Sequence, residues 1–486
     1  MRPFPALCLA LSLVTTVATA QNPAPAATPA AQAVTRRDLA DSYLLVDHIV
    51  AARGMPAAMR ARWNQDFDRT TLAFFGGDFP KVLRDMHDLA ARMLGDSAAG
   101  SPTRQLLALR LRTAPRLVTP QDSVVRLVLT VMYASDNEPA RRIKIRVTEG
   151  DGRTVTEGQV VVPAGVAAGR DVEYVIPRAQ LPQRNGRLTV TAELDGAATK
   201  LETPLYLFEQ RADAVRAELE RSAAAMPAGA DPQALASLRA RIALLRDVPG
   251  EGSTAQFLAD PVALTAALMD EALALSTRRD PYRRTGDIWR VLETPNARVP
   301  FRLYVPPQAR TSATLPLVIA LHGAGADENM FFEGYGAGRI RTLADSLGFI
   351  VLAPSTNDFA RDPATLDTAI AVVARATAFD RSRVYMLGHS LGAGVTLRFA
   401  TQRRDVLRAT ALIAGAGAVA ADQTVVPTLF IAAERDLVIP ASRVRAAYDA
   451  LQARGAPVEF VMPEGWGHTH VVGVELLRAV QFLLAR

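Results

Sequence analysis

The chain has almost no cysteine, little lysine and no long hydrophobic run. Its 486 residues include one cysteine, Cys8, and three lysines, so arginine supplies nearly all of the positive charge behind the net charge of +6. The arginines are spread along the chain and form no basic block interleaved with aromatic residues, which argues against nucleic-acid binding. No stretch approaches the roughly 20 apolar residues that a membrane span requires. The length indicates about two or three domains.

The first twenty residues have the composition of an export signal. Arg2 supplies a positive start, Ala6 to Val17 form a short apolar core, and Ala18-Thr-Ala20 has the small residues of a cleavage site. We therefore expect an exported protein, periplasmic or extracellular after cleavage near Ala20. Cys8 would leave with the signal, and the mature chain would have neither a disulfide nor thiol chemistry.

Between the signal and residue 280 the sequence changes its pattern several times. Residues 21–35 are an Ala/Pro linker that cannot bury apolar surface. Helical spacing of apolar residues predicts a helical region over 36–114. Short alternating runs separated by Gly or Pro then predict a β-sandwich-like domain over 115–208, followed by a helical connector over 209–280. No catalytic pattern is evident in these regions, so their role stays open.

From residue 281 to 486 short apolar runs alternate with helical segments. A hairpin is predicted first, and the later runs have the composition of strands buried on both faces. This alternation predicts an α/β fold, a mostly parallel sheet with helices on both sides. The predicted buried strands are 317–321, 349–353, 384–387, 409–413, 428–432 and 458–462.

A Gly-x-Ser-x-Gly motif lies between a predicted strand and a predicted helix. It reads Gly388-His-Ser-Leu-Gly392, with Ser390 at its centre. In a sharp strand-to-helix turn, larger residues at the two glycine positions would clash, and the turn exposes the serine hydroxyl. The motif therefore predicts a nucleophilic serine, whereas an ordinary βα turn would leave only a solvated serine.

A nucleophilic serine needs a base and an acid that orients it. Asp436 follows the predicted strand 428–432, at the same edge of the sheet as Ser390, and is preferred to Glu434, which we expect to face solvent. The Gly-rich segment after the last strand contains His468 and His470. His468 is preferred as the base because its loop can fold back over the serine. His470 would be held by the final helix, either behind the catalytic residues or at the surface.

Acyl transfer also needs hydrogen-bond donors for the developing oxyanion. One candidate is the backbone N–H of Leu391, directly after the serine. The other is the backbone N–H of Ala324, in the small-residue loop His322-Gly-Ala-Gly-Ala326 that follows a predicted strand. A plain Gly-rich turn is the alternative for this loop. His322 and His389 are expected to fix the two loops by hydrogen bonds.

Residues 285–486 resemble the α/β-hydrolase superfamily, and within it the secreted esterase and prolyl-oligopeptidase-like branches. The motifs that carry the resemblance are Leu321 to Asn329, Gly388 to Gly392, Asp436 to Pro440 and Gly467-His468. The resemblance implies hydrolysis through a seryl acyl-enzyme, with no metal and no organic cofactor. The disulfides of many secreted esterases are absent.

The resemblance leaves three functions open. The first is cleavage of carboxylic esters, in a small molecule or a polymer, by Ser390, His468 and Asp436. The second is a serine peptidase of the prolyl-oligopeptidase-like branch. The third is a binding protein with a vestigial hydrolase domain, although the complete Ser, Asp, His order argues against it. The sequence leaves the oligomeric state unknown.

Overall fold

The structure of the protein is a computed structural model that describes residues 34–133, 139–246, 253–311 and 314–486. The predicted signal peptide and residues 21–33 of the predicted linker lie outside these ranges. The helices are α1 (Arg36–Arg53), α2 (Ala57–Phe75), α3 (Phe79–Met93), α4 (Pro102–Leu107), α5 (Ala212–Ala224), α6 (Pro232–Ala243), α7 (Thr254–Leu258), α8 (Pro261–Ser276), α9 (Met330–Glu333), α10 (Arg339–Leu347), α11 (Thr356–Phe359), α12 (Thr365–Ala376), α13 (Leu391–Gln402), α14 (Ala441–Gln452) and α15 (His470–Leu484).

The strands form two small sheets in the middle of the chain and one large sheet in its last part. They are β1 (Leu109–Ala114), β2 (Leu117–Val118), β3 (Val124–Val131), β4 (Arg141–Thr148), β5 (Thr154–Val162), β6 (Asp171–Pro177), β7 (Gly186–Leu194), β8 (Leu201–Leu207), β9 (Gly286–Glu293), β10 (Arg298–Val305), β11 (Leu315–Leu321), β12 (Ile350–Pro354), β13 (Phe379–His389), β14 (Leu407–Ile413), β15 (Thr428–Ile431) and β16 (Val458–Val461).

The two small sheets pack their apolar sides together around one core. One has the order β1-β3-β6 and the other β2-β8-β7-β4-β5. The predicted sandwich-like fold is therefore present. The helical interpretation of residues 109–114 is wrong, because β1 pairs antiparallel with β3 and buries Leu109 and Leu111. Alternation of Leu and Arg here gives the period of two that a half-buried strand requires.

The large sheet has eight strands in the order β16-β15-β14-β13-β11-β12-β10-β9. β9 and β10 form the predicted opening hairpin, with Glu293 opposite Arg298. From β11 onward the strands pair in parallel, and the chain crosses over so that β12 lies between β10 and β11. Their carboxyl ends consequently meet at one edge of the sheet, where the predicted site residues follow β11, β13, β15 and β16.

Successive residues of the central strands belong to two different hydrophobic cores. In β11, Val318 contributes to one core and Ile319 to the other. The first core includes residues of α10 and α15, and the second includes residues of α12, α13 and α14. Both faces of the sheet are thus covered, as the continuous apolar runs predict.

The N-terminal helices belong to the first of these cores. Val46 of α1, Phe67 of α2 and Met86 of α3 are buried in the same cluster as Phe331 and Val471 of the large α/β unit. The helical region therefore covers a face of the hydrophobic core instead of standing apart from it. Within the ranges given above, no helix is both long and apolar enough to cross a membrane.

Candidate active site

Ser390 lies in a strained turn between β13 and α13. Its backbone has φ 53° and ψ −113°, a region that residues with a side chain rarely occupy. Its N–H donates to the carbonyl oxygen of Ile413 on the neighbouring strand, at 2.9 Å. Strain of this kind is typical of a turn that presents a nucleophile at the edge of an α/β sheet.

The two glycines of the motif are required by close packing. A side-chain carbon at Gly388 would overlap the carbonyl of Gly392, and one at Gly392 would overlap the carbonyl of Leu321. Gly392 therefore lets the start of α13 approach the end of β11. This close packing agrees with the steric requirement for glycine at both positions of the motif.

Ser390, His468 and Asp436 form a continuous hydrogen-bonded row. Nε2 of His468 lies 2.9 Å from Oγ of Ser390, and Nδ1 lies 2.8 Å from Oδ2 of Asp436. An ionised carboxylate only accepts hydrogen bonds, so Nδ1–H donates to Asp436 and Nε2 is free to accept from the serine hydroxyl. All three residues are buried.

The carboxylate of Asp436 is held by its own loop. Its Oδ1 accepts the N–H groups of Val438 at 2.8 Å and Ile439 at 2.7 Å. Oδ2 is therefore left to face His468. Contrary to expectation, Glu434 does not only face solvent. It is half-buried, and its carboxylate accepts the N–H of Gly465 at 2.8 Å. It thereby links the acid loop to the histidine loop.

His470 is separated from this row. It is the first residue of α15 and is buried, so its assignment to the surface is wrong. Among the described residues neither of its ring nitrogens has a hydrogen-bond partner, and its ring lies 4.3 Å from the ring of Phe67, centroid to centroid. Burial lowers the pKa of His470 to about 4, so the ring is neutral near pH 7.

The residues predicted to supply the oxyanion donors belong to two segments that meet at Ser390. Leu391 follows it as the first residue of α13. Ala324 is exposed in the loop after β11. Its neighbour Gly323 packs against the serine, since a side-chain carbon added at Gly323 would lie 3.3 Å from Cβ of Ser390. The loop thus approaches the serine closely enough to present a backbone N–H to a bound carbonyl group.

His322 and His389 fix these loops, as expected. Nε2 of His322 accepts the N–H of Thr356 at 2.9 Å, and its Nδ1 lies 2.8 Å from the carbonyl oxygen of Gly323. His389 lies between the hydroxyl of Tyr335 and the carbonyl of His468. Burial is the main cause that lowers the pKa of both histidines, so both are neutral hydrogen-bonding groups.

The loop that carries Tyr335 is held by α1. Tyr335 and Ala337 have positive φ, at 46° and 57°. The carboxylate of Asp47 accepts the N–H of Ala337 at 2.8 Å and that of Gly336 at 3.1 Å. These bonds stabilise a backbone conformation that side chains otherwise disfavour. Burial raises the pKa of Asp47 above its ordinary value, partly opposed by these two bonds.

Sequence reasoning missed that α2 also contacts the site. Phe74, near its end, packs against the loop after β11: a side-chain carbon at Gly325 would lie 2.5 Å from Cε1 of the Phe74 ring. Asp68, earlier on α2, accepts backbone N–H groups of both Leu437 and His468. Neither residue belongs to a local motif, so only the three-dimensional structure reveals these contacts.

The strand order, the strained turn and the Ser390–His468–Asp436 row define an α/β-hydrolase unit, and the predicted fold is confirmed. Residues 348–473, which include all three side chains, match the model of the dienelactone hydrolase family. The predicted resemblance of the C-terminal part of the chain to the α/β-hydrolase superfamily is therefore confirmed.

Individual proteins similar to this chain are known esterases and hydrolases. Feruloyl esterase B of Thermothelomyces thermophilus is 31% identical over 129 residues, which are 23% of this chain and 43% of that protein. The chain thus spans less than half the length of that relative. The S-formylglutathione hydrolase FrmB of Staphylococcus aureus is 15% identical, over 41% of this chain and 98% of that one, with a TM-score of 0.35. Est1E of Butyrivibrio proteoclasticus is 12% identical, over 42% of this chain and 100% of that one, with a TM-score of 0.32.

No group of three or more His, Cys, Asp or Glu side chains suited to a metal ion occurs in the part of the chain that the structure describes.

Proposed function

We propose that the protein is a serine hydrolase that cleaves carboxylic esters through an acyl-enzyme. The observation that carries this proposal is the row in which Nε2 of His468 lies 2.9 Å from the Ser390 hydroxyl while Nδ1 lies 2.8 Å from Asp436. A histidine in this position can take the serine proton as the hydroxyl attacks, and its carboxylate partner stabilises the imidazolium that forms. The substrate is an ester in a small molecule or a polymer.

Acylation begins with attack of Ser390 on the ester carbonyl, with His468 as the base. Oγ of Ser390 bonds to the carbonyl carbon of the ester and its proton passes to Nε2 of His468. The carbonyl π electrons move to the oxygen, which we expect to accept hydrogen bonds from the N–H groups of Leu391 and Ala324. When the tetrahedral intermediate collapses, the bond to the alcohol oxygen breaks, and His468 returns the proton to that oxygen.

Deacylation repeats the sequence with water. His468 accepts a proton from water, the hydroxide oxygen bonds to the acyl carbon, and the bond to Oγ of Ser390 breaks. His468 then gives the proton back to Oγ, which restores the serine and releases the acid. The family match of residues 348–473 and the similarity to a feruloyl esterase support an esterase activity of this kind.

The decisive experiment combines labelling with substrate choice. Wild-type protein is expected to react with a fluorophosphonate probe and to hydrolyse p-nitrophenyl esters, whereas Ser390→Ala should do neither, with kcat lower by roughly four to six orders of magnitude. Preference for aminoacyl-arylamides over esters would favour the peptidase alternative. A wild-type protein that the probe does not label would favour the non-catalytic binding protein. EDTA is expected to leave the activity unchanged.

We also propose that the protein is exported. The support is the sequence of residues 1–20, with Arg2, the apolar core and the Ala18-Thr-Ala20 site. Cell fractionation and N-terminal sequencing test the proposal: the mature protein should begin near residue 21 and lie outside the cytoplasm. Retention of Met1 in a cytoplasmic product would contradict it.

A further inference from the structure

One face of α2 lies along the loop that carries the catalytic histidine. Arg60, Asn64, Phe67 and Asp68 are spaced at i, i+4, i+7 and i+8, which places them on one side of a helix. The guanidinium of Arg60 lies 5.0 Å from the ring centroid of Trp466, and Nδ2 of Asn64 lies 3.3 Å from the carbonyl oxygen of Gly465. The contacts continue from Trp466 to His470, since Phe67 packs on the His470 ring.

Asp68 joins two separate loops of the site. Its Oδ2 accepts the N–H of Leu437, the residue after Asp436, at 3.0 Å. The N–H of His468 itself lies 3.1 Å from both carboxylate oxygens. A carboxylate accepts hydrogen bonds only, so it matches two backbone donors. The two loops that contain the acid and the base are thereby hydrogen-bonded to one side chain.

The fit around this carboxylate is close. A side-chain carbon at Gly467 would lie 2.9 Å from Oδ2 of Asp68 and 3.0 Å from Cβ of Asn64. Asp68 is only 1% exposed. Burial raises its pKa to about 6, against the lowering effect of the Leu437 and His468 N–H groups. A buried carboxylate costs stability, so packing alone does not account for an acid at this position.

We infer that Asp68 is a positioning residue for the proposed hydrolysis, holding the backbone of His468 and of Leu437 so that the imidazole lies between Ser390 and Asp436. The inference rests on the proposed function. It makes the N-terminal helical region part of the active centre, through a side chain that does not touch substrate. Displacement of a catalytic group by about 1 Å can lower a rate about 100-fold, so removal of this support should reduce kcat.

The test compares Asp68→Asn and Asp68→Ala with wild-type protein in the full chain. Asparagine keeps one acceptor oxygen but places an NH2 group against a backbone donor, whereas alanine removes both acceptors. We expect kcat, per active site titrated with a fluorophosphonate, to fall about 10-fold for Asn and about 100-fold for Ala. KM should stay within about twofold, because Asp68 is not expected to contact substrate.

Asp66 provides the matched control on the same helix. It pairs with Arg69 and Arg92, at 2.7 Å each, and not with the catalytic loops. Asp66→Asn removes the same charge and should leave kcat and KM unchanged.

The outcomes separate this inference from the proposed function. If the wild-type protein is neither labelled nor active, the proposed serine-hydrolase function is itself wrong. If wild-type protein is active but the Asp68 variants keep kcat within twofold per titrated site, the positioning role is overturned, even if their melting temperatures fall. Should Asp68→Ala fail to fold, the kcat of Asp68→Asn per titrated site tests the positioning role by itself.

Discussion

The Nε2–H group of His389 donates to the carbonyl oxygen of His468 across 3.0 Å. On the other side of the ring, Nδ1 accepts from the hydroxyl of Tyr335 at 2.6 Å, and the Tyr335 oxygen lies 3.3 Å from the N–H of Gly323. The neutral ring with its proton on Nε2 makes both bonds, in agreement with the pKa of His389, which lies well below its ordinary value because the ring is buried. One ring thus connects the nucleophile turn, the oxyanion loop and the histidine loop.

Tyr335→Phe should disturb this connection. It leaves Nδ1 of His389 and the N–H of Gly323 buried without their partner, which costs on the order of 1–3 kcal/mol. We expect a lower free energy of unfolding in urea and a kcat reduced about 10-fold on a p-nitrophenyl ester.

Tyr385→Phe is the control for that change. The Tyr385 hydroxyl is buried and has no hydrogen-bond partner in the described ranges, so its removal should not destabilise the protein. Equal stability and activity of the two variants would show that the Tyr335 bonds are unimportant.

The two neighbouring histidines should behave differently in kcat/KM. His468→Gln removes the base and is expected to lower kcat/KM by roughly four to six orders of magnitude, because the serine is no longer activated. His470→Gln should stay within about tenfold, since His470 packs on Phe67 and has no bond to the row. The opposite ranking would transfer the role of base to His470.

Acid should destabilise the folded protein partly through His470. Burial lowers its pKa from the ordinary 6.5 to about 4. Between these values the unfolded chain binds more protons than the folded one, so the free energy of unfolding contributed by this group is lost as the pH falls from 6.5 towards 4. Urea titrations of His470→Leu at pH 7.5 and pH 4.5 should therefore show a smaller pH-dependent loss than wild type, by up to about 3 kcal/mol.

Val474→Leu is the control, because it changes the packing of the same helix without removing a titratable group. An identical pH-dependent loss in wild type and His470→Leu would mean that folding does not lower the pKa of His470.

Residues 281–486 expressed alone should be insoluble or poorly labelled by a fluorophosphonate. The fragment lacks the partners that α1, α2 and α3 provide for Phe331, Trp466 and Val471 in the shared core. It would expose apolar surface and lose the Asp68 bonds. Addition of residues 34–108 in trans should recover part of the labelling, whereas a soluble fragment labelled at the wild-type rate would contradict this expectation.

The sequence was most informative where the chemistry is local. Gly388 to Gly392 lies within one turn, and its glycines and serine carry both the steric and the chemical signal. Asp436 and His468 follow the ends of apolar runs, so parallel pairing alone predicts that they approach Ser390. The structure places them within hydrogen-bond distance of one another.

The missed features depend on contacts that no local pattern records. Asp68 lies 400 positions from His468 in the chain, and nothing in its neighbours distinguishes it from an acid on a solvated helix face. The wrong helical prediction for Leu109 to Ala114 has a different cause. The Leu-Arg alternation indicates a strand, but the predicted helical region includes it because helical spacing precedes it.

The separation of 400 positions between Asp68 and His468 also bears on when the protein becomes active. Contacts so distant along a chain form late and slowly, because a long loop must close before they are gained. During synthesis α2 emerges early and must wait for the last residues before its carboxylate finds the two N–H groups. Hydrolysis would then begin only once α2 has packed against the segment that contains His468, so that activity would appear late in folding.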